Sequence, residues 1–197
     1  MFAEILLAKL AGICEISDPQ IELMQRHFEL LSRWNKKLNL IRFQTLEEAV
    51  ERHYAESVFA ACHLPPAVAS LGDIGSGAGF PGIPIGIMRP LASIVLIESH
   101  QRKAAFLREA SRALPNVRVI ARRAEDIEDR FDWVVSRAVR YSEIAAALKK
   151  LGQRAELLTG EVLASDLIGF EWEEPIRLPW GERRYLWIGH QAVSRFT

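Results

Sequence analysis

The sequence predicts an α/β fold, with one mostly parallel seven-stranded sheet, helices on both of its faces and a helical extension at the amino terminus. Two observations predict it. From Ala67 onward, short apolar runs alternate with helical segments, which is the pattern of a parallel sheet. Before that point, residues 2–64 show helical spacing alone, and Leu64-Pro65-Pro66 marks the boundary. We therefore expect a helical extension over residues 1–64, packed on an α/β core over residues 65–197.

Length and composition fit one domain with a hydrophobic core. The chain has 197 residues, of which 49% are hydrophobic, and it is too short for two full α/β domains. It carries 25 basic and 25 acidic residues, so its formal net charge is zero. A neutral chain lacks the positive charge of a general nucleic-acid binder, and any RNA would have to be bound by a local basic patch.

The sequence gives no sign of a membrane segment or a metal site. No apolar run is long enough to span a bilayer, and the first residues lack the basic segment of a signal peptide, so we expect a cytoplasmic protein. Cys14 and Cys62 have neither metal-binding nor redox spacing, and we expect two free thiols. The five histidines form no metal-like cluster, so no metal is expected.

The helical part has a clear start signal and an apolar stripe. Ser17-Asp18-Pro19 is typical of a helix start, with a capping side chain followed by proline in the first turn. A second helical stretch runs from about Thr45 to Cys62. The first of these helices has apolar residues at helical spacing, which we interpret as core packing: Ile21, Met24, Phe28, Leu31 and Trp34.

The core elements follow from the alternation of apolar runs and helical spacing. Strands are expected over residues 69–74, 93–98, 117–121, 131–136 and 155–159, helices over 83–88, 101–114 and 141–151, and a closing antiparallel pair over 170–178 and 184–189. In such sheets a ligand binds beyond the carboxyl ends of the strands, where the strand order reverses. The residues directly after each strand are therefore the candidate site residues.

A glycine-rich loop follows the first strand, in the segment Asp73-Ile74-Gly75-Ser76-Gly77-Ala78-Gly79-Phe80-Pro81-Gly82. Glycines let the backbone turn tightly and let a ligand approach it closely. The spacing fits either a dinucleotide or S-adenosylmethionine. Asp73 favours S-adenosylmethionine, because a carboxylate repels a pyrophosphate and attracts a cationic methionine moiety. Pro81 also interrupts the region where a dinucleotide fold has a regular helix, and the chain has no second domain for a hydride acceptor.

Two acids follow the next strands. Glu98 ends the second strand, where an acid can accept hydrogen bonds from both ribose hydroxyls, a feature that dinucleotide enzymes share. Glu125 follows the third strand, where it can accept a hydrogen bond from the adenine amino group. Each could instead be a surface acid.

At this point the sequence resembles the bacterial 16S ribosomal RNA methyltransferase G family, also called glucose-inhibited division protein B, which methylates guanine at N7. The loop from Gly75 to Pro84 is the most specific match. Two departures are Thr159-Gly160, where the family usually has Lys-Gly, and Ile41, where it usually has Thr. The other matching segments are Trp34 to Leu40, Arg52-His53, Glu56-Ser57 with Glu in place of Asp, Glu98-Ser99, Arg102-Lys103, Phe106-Leu107, Arg123-Ala124-Glu125, Ser136-Arg137-Ala138 and Gly181 to Arg184.

The resemblance implies a class I S-adenosylmethionine-dependent methyltransferase with a Rossmann-like core. Together with the loop analysis, it gives these expected cofactor contacts: Asp73, Gly75, Gly77, Gly79, Phe80, Glu98, Ala124, Glu125 and Arg137. The expected contacts with RNA are Arg123, Arg137, Arg183 or Arg184, Arg52, His53, Lys36 and Lys37. The lysines belong to a basic stretch beside Trp34 that could equally be a solvated helix face. The implied partner is 16S rRNA or a small ribosomal subunit particle, and we expect a monomer.

The residue after the fourth strand bears on the chemistry. The Asp/Asn-Pro-Pro-aromatic motif of exocyclic amine methylation is absent there, and no cysteine in the catalytic half could form a covalent adduct with a pyrimidine. Guanine N7 needs no deprotonation, and Arg137 can donate to guanine O6. Arg137 and Phe80 are therefore candidate positioning residues. Two alternatives stay open: a methyltransferase of a small molecule or protein, and a non-catalytic nucleotide-binding module.

Overall fold

The computed structural model describes residues 1–137, 141–160 and 169–192. Over these residues, the chain begins with helices and continues as an α/β sheet domain. The helices before the sheet are α1 (Phe2–Leu10), α2 (Asp18–Leu38), α3 (Leu46–Ala49), a π-helical segment (Val50–Ala55) and α4 (Glu56–His63). The prediction that residues 2–64 are helical is confirmed for these segments.

The sheet domain alternates strands with helices as predicted. Its helices are α5 (Gly82–Met88), α6 (Gln101–Ala110), a short 3₁₀ turn (Ala124–Asp126) and α7 (Tyr141–Leu151). Its strands are β1 (Ser70–Ile74), β2 (Ser93–Ile97), β3 (Val117–Ile120), β4 (Phe131–Arg137), β5 (Gly152–Thr159), β6 (Phe170–Trp172), β7 (Ile176–Arg177) and β8 (Tyr185–Gln191).

The strand order places β1 and β4 side by side. The order across the sheet is β3-β2-β1-β4-β5-β8-β6, and β7 also pairs with β8. The five strands from β3 to β5 are parallel, and β8 is antiparallel to its neighbours. The chain leaves β1 toward one edge and returns at β4 toward the other, so the order reverses between these two strands.

Three details of the predicted elements are wrong. The sheet has eight strands instead of seven, because the expected strand over residues 170–178 is divided into β6 and β7 by Pro175, which has no N–H to donate. Helix α6 ends at Ala110 instead of residue 114, and Pro115 disfavours a helical backbone at residue 114 itself. Cys14 and Cys62 form a disulfide bond and are not free thiols.

Helix α2 shows why the amino-terminal start signal succeeds. Ser17 caps the helix, and the Gln20 side chain accepts a hydrogen bond from the Ser17 backbone N–H at 2.9 Å, so the capping box satisfies end groups that the helix leaves unpaired. Met24 and Leu31 are fully buried in the core between the helices and the sheet. The apolar stripe therefore has the packing role that its spacing predicted.

The two faces of the sheet are covered by different helices. The larger cluster combines residues of the amino-terminal helices, such as Leu6 and Tyr54, with residues of the sheet domain, such as Leu71 and Phe106. The other face packs Leu148 of α7 and its neighbours against β4 and β5. The larger cluster thus joins the helical extension to one face of the sheet. Within the described ranges, no helix is both long and apolar enough to cross a bilayer.

Glu156 lies on β5 in the interior of the sheet. Its side chain is buried, and among the residues that the structure describes neither carboxylate oxygen has a hydrogen-bond partner. Burial raises the pKa of Glu156 well above its ordinary value of 4.5, and the guanidinium of Arg89 opposes this rise. The pKa of Glu156 is higher in the folded protein than in the unfolded chain. Below the unfolded pKa the side chain is protonated in both states and causes no loss of stability. As the pH rises through the folded pKa, the folded protein loses stability because the buried side chain must ionise.

We therefore expect the Glu156→Gln variant to be more stable than the wild type in alkaline buffer, with a difference that shrinks toward about pH 4. The free energy of unfolding in urea, measured between about pH 4 and pH 9, checks this. Glu171→Gln is the control, because Glu171 lies on β6 of the same sheet and its side chain is 67% exposed. Equal pH dependence of the wild type and Glu156→Gln would contradict the expectation.

Candidate active site

The predicted site residues lie at the carboxyl ends of the parallel strands. The glycine-rich loop follows β1, Glu98 follows β2, and Arg137 ends β4. Because β1 lies between β2 and β4, these three features share one edge of the sheet at the point where the strand order reverses. This is where open α/β sheets bind ligands.

The loop backbone has the conformation that its glycines predicted. Gly75, Gly77 and Gly79 have φ values of 74°, 55° and 87°, in the region that other residues rarely adopt. A Cβ atom added to Gly77 would meet only the Gly75 carbonyl oxygen, at 3.7 Å. The space in front of Gly77 is therefore open, and a ligand could lie directly against this backbone.

Glu98 holds the loop from the side of β2. One carboxylate oxygen accepts a hydrogen bond from the Gly77 backbone N–H at 3.0 Å, and the other accepts one from the His100 N–H at 2.7 Å. An ionised carboxylate has about four acceptor positions. Glu98 can thus hold the loop and still accept hydrogen bonds from ribose hydroxyls.

Asp73 lies beneath the loop and is fully buried. Its Oδ2 accepts a hydrogen bond from the Gly82 N–H at 3.1 Å, and its Oδ1 has no partner among the described residues. Burial raises the pKa of Asp73 to about 7, while its hydrogen bonds with Ser76 and Gly82 oppose the rise. A cation bound above the loop would favour the ionised carboxylate. The expected attraction of Asp73 for such a cation stays a prediction.

A histidine outside the set of predicted site residues contacts the other side of the loop. His27 of α2 is buried, and its Nε2 lies 3.1 Å from the Ala78 carbonyl oxygen. A carbonyl can only accept, so Nε2 carries the proton, and Nδ1 accepts from the Tyr54 hydroxyl at 2.8 Å. Burial lowers the pKa of His27 to about 4. The ring is therefore neutral near pH 7, as this arrangement requires.

Arg137 is part of a buried ionic cluster. Its Nη2 lies 3.1 Å from Glu56 Oε2, and its Nη1 donates to His53 Nδ1 at 2.9 Å. Arg184 donates to the other oxygen of Glu56. The ring of His53 stacks on Phe80 of the loop, with ring centroids 5.0 Å apart. Burial and the neighbouring arginines lower the pKa of His53 to about 3, so the ring is neutral.

The residues after β3 are placed differently from those of the loop. Ala124 is buried in the 3₁₀ turn, whereas Arg123 and Glu125 on either side of it are exposed. The backbone carbonyl of Glu125 accepts a hydrogen bond from Lys150 at 3.0 Å, and its carboxylate faces solvent. The expected contact of Glu125 with adenine stays a prediction.

The expected RNA contacts form a partly buried group and an exposed group. Arg137 and Arg184 belong to the cluster around Glu56, and of the two adjacent arginines before β8 it is Arg184 that joins it. Arg52 pairs with Glu48 at 2.8 Å on the protein surface. The remaining candidates are exposed: Lys36, Lys37, Arg123 and Arg183. Within the described ranges, no group of His, Cys, Asp and Glu side chains is arranged to hold a metal ion.

Comparison with protein families decides the assignment. Residues 20–162 match the family described as rRNA small subunit methyltransferase G. The chain belongs to this family. Ribosomal RNA small subunit methyltransferase G of Chromobacterium violaceum is 38% identical over 164 residues, which cover 81% of this chain and 72% of that relative. The protein of the same name from Ruthia magnifica is 34% identical over 92% of this chain and 88% of its own length. The resemblance found in the sequence motifs is confirmed.

The share of each relative that the chain matches varies. With the Dichelobacter nodosus ribosomal RNA small subunit methyltransferase G, the identity is 41% over 128 residues, covering 63% of this chain and 60% of that relative. The family model itself spans residues 20–162, which include α2, the glycine-rich loop and β4.

Solved structures share the fold at low sequence identity. A SAM-dependent methyltransferase from Aquifex aeolicus has a TM-score of 0.59 at 13% identity, covering 74% of this chain and 93% of that one. Magnesium protoporphyrin IX methyltransferase from Synechocystis, with bound SAH, has a TM-score of 0.59 at 11% identity, covering 84% and 94%. The predicted class I methyltransferase fold is confirmed. With the family assignment, S-adenosylmethionine is the cofactor, and the open cradle at Gly77 fits it.

We expect Glu98→Ala to lower the affinity for S-adenosylmethionine about tenfold or more, because hydrogen bonds to a charged group contribute about 1.5–3 kcal/mol each. The variant loses the acceptor of the Gly77 N–H as well as the expected ribose contacts. Calorimetric titration measures the change, with Glu109→Ala, an exposed acid on α6, as the control. Unchanged affinity in folded Glu98→Ala would remove Glu98 from the cofactor site.

Proposed function

We propose that this chain transfers a methyl group from S-adenosylmethionine to N7 of a guanine in bacterial 16S rRNA. The proposal rests mainly on the position of Arg137, which ends β4 beside the cofactor loop. Arg137 donates a hydrogen bond to His53, and the His53 ring stacks on Phe80 of the loop. The family assignment supports small-subunit rRNA over a small-molecule or protein substrate and over a non-catalytic role. The proposed enzyme acts as a cytoplasmic monomer, on naked 16S rRNA or on the small-subunit particle.

The proposed cofactor contacts follow from the geometry of the loop. The backbone at Gly75, Gly77 and Gly79 would lie against the methionine moiety, and Glu98 would accept from the ribose hydroxyls. Ala124 and Glu125 would border the adenine. When bound, S-adenosylmethionine supplies a methyl group on a cationic sulfonium. The carboxylate of Asp73 beneath the loop would favour that cation.

The groups at this edge fit a reaction that needs orientation and no general base. Guanine N7 has a lone pair and no proton, so its methylation releases no proton from the base. The described polar groups near Arg137 are engaged in contacts within the protein. Glu56 contacts two arginines, and His53 Nδ1 accepts a hydrogen bond from Arg137. The Ser136 hydroxyl donates to the Ile74 carbonyl at 2.7 Å. A site of this kind accelerates transfer by positioning, and an arginine suits guanine because it can donate to O6.

Two arginine variants are expected to separate RNA recognition from cofactor binding. Arg123→Ala and Arg184→Ala should lower methyl transfer to RNA, since each removes a positive charge expected to face the RNA backbone. The cofactor Kd should change little, because neither residue contacts the glycine-rich loop. Steady-state kinetics with RNA and calorimetry with S-adenosylmethionine measure the two effects. An equal loss of cofactor affinity would contradict the RNA role.

The proposed reaction is tested by the nucleoside that it forms. The purified protein is incubated with labelled cofactor and either small-subunit particles or naked 16S rRNA, and the RNA is then digested to nucleosides. We expect the label in 7-methylguanosine. Label in 6-methyladenosine or 5-methylcytidine would refute the mechanism, and 7-methylguanosine formed only in another RNA would refute the substrate.

A further inference from the structure

Glu56 is the buried centre of a cluster drawn from three distant parts of the chain. It begins α4, whereas Arg137 ends β4 and Arg184 directly precedes β8. The side chains of Glu56, Arg137 and Arg184 are 3%, 12% and 22% exposed, and each Glu56 oxygen contacts one arginine. In the sequence, Glu56 is recognisable only as a position of a family motif, with no role attached to it.

The charges explain why this carboxylate matters. Two guanidiniums that approach the same point repel each other strongly where little water screens them. Glu56 is the acid of the described residues that contacts both of them. Burial raises the pKa of Glu56, and the coulombic effects of Arg137 and Arg184 oppose the rise. The carboxylate and the two arginines therefore stabilise one another as a set.

The cluster also reaches the cofactor loop. Arg137 donates to His53 in the π-helical segment, and the His53 ring stacks on Phe80. A change in the direction of the Arg137 guanidinium would therefore also disturb the contact between the helical extension and the loop. Glu56 lies in the same continuous helical stretch as His53, so these two partners of Arg137 come from neighbouring positions of the chain.

We propose that Glu56 is a positioning residue for methyl transfer, which holds the guanidiniums of Arg137 and Arg184 together, facing the RNA base and its backbone. This inference rests on the proposed function. Glu56 itself is too deeply buried to contact RNA, so it acts through the two arginines. Glu56 orients Arg137 relative to the cofactor loop. This orientation affects the rate of methyl transfer more than the affinity for the cofactor.

The test compares Glu56→Gln and Glu56→Asp with the wild type in methyl transfer to small-subunit particles. Glu56→Gln has nearly the same shape but no charge, and we expect its kcat to fall about 10- to 100-fold, with a much smaller change in the Kd for S-adenosylmethionine. Glu56→Asp keeps the charge and should retain most of the kcat. Glu51→Gln is the matched control, because Glu51 lies in the same helical stretch and pairs with Lys9 at 2.6 Å.

A double variant distinguishes positioning from a general loss of stability. In an Arg137→Ala background, Glu56→Gln should cause a much smaller loss of kcat than it does in the wild type, because the guanidinium that it orients is absent. If Glu56→Gln alone does not fold, Glu56→Gln with Arg184→Gln balances the charge, and its kcat is compared with that of Arg184→Gln. The double variant should have the lower kcat of the two.

Wild-type kcat in folded Glu56→Gln, equal losses in the presence and absence of Arg137, or equal kcat of the double variant and Arg184→Gln would each overturn the proposal. A wild-type protein that transfers no methyl group to the particle would refute the proposed function, and the role of Glu56 would fall with it. The wild-type reaction, run in parallel, separates these two kinds of failure.

Discussion

The Gly77→Val variant is expected to fold and to lose measurable binding of S-adenosylmethionine. The Gly77 backbone has a φ of 55°, and the space in front of it is open. A valine there would place its branched side chain in the space that the cofactor needs and would also be strained at this φ. The strain costs about 1–3 kcal/mol, which a domain of this size can tolerate.

Gly12→Val is the matched control for this expectation. Gly12 has a φ of 73°, and an added Cβ atom meets nothing within 4 Å, but the residue follows α1 and lies outside the loop. Thermal unfolding should show similar losses of stability in the two variants, and calorimetry should show cofactor binding only in Gly12→Val. Normal cofactor affinity in Gly77→Val would mean that this loop is not the cofactor cradle.

Arg137→Ala is expected to lower methyl transfer to RNA by about 100-fold or more, because it removes the guanidinium expected to orient the guanine. It also removes one of the two arginines that contact Glu56 and the hydrogen bond to His53, which stacks on Phe80. Cofactor affinity should therefore fall as well. Single-turnover kinetics on small-subunit particles measure the transfer step, and calorimetry measures the cofactor Kd.

Arg154→Ala is the control for the loss of an arginine from the sheet. Arg154 lies near the start of β5, with its guanidinium 5.6 Å from the ring centroid of Trp133, away from the carboxyl ends of the strands. The Arg154→Ala variant should transfer methyl groups at the wild-type rate. If folded Arg137→Ala transfers methyl groups at the wild-type rate, Arg137 has no part in orienting the base.

Local sequence patterns predicted the elements that local physics determines. The capping box at Ser17, the apolar run of β1 and the glycines of the loop each depend on a few neighbouring residues. The position of Glu98 beside the loop was also predictable, because the ends of parallel neighbouring strands meet at one edge of the sheet. The glycine-rich loop and the acid after β2 were therefore located before their contacts were known.

Contacts between residues that are far apart in the sequence could not be predicted from these local patterns. His27 and Ala78 are separated by 51 positions, and Glu56 and Arg184 by 128. Their spacing carries no signal, so the sequence assigned no role to His27 and identified Glu56 only as a motif position. The disulfide between Cys14 and Cys62 was missed for the same reason, since it depends on how α4 packs near the end of α1. The sequence did place Glu56 and His53 close together in one helical motif, which was the sign of the cluster that could have been used.

The most direct test of the account is nucleoside mass spectrometry of 16S rRNA purified from cells that lack this protein. Strains complemented with the wild type or with Gly77→Val are analysed in parallel, so that loss of the protein is distinguished from loss of cofactor binding. The account predicts that 7-methylguanosine disappears from the 16S rRNA and returns only with the wild type. Unchanged 7-methylguanosine in the strain without the protein would contradict it.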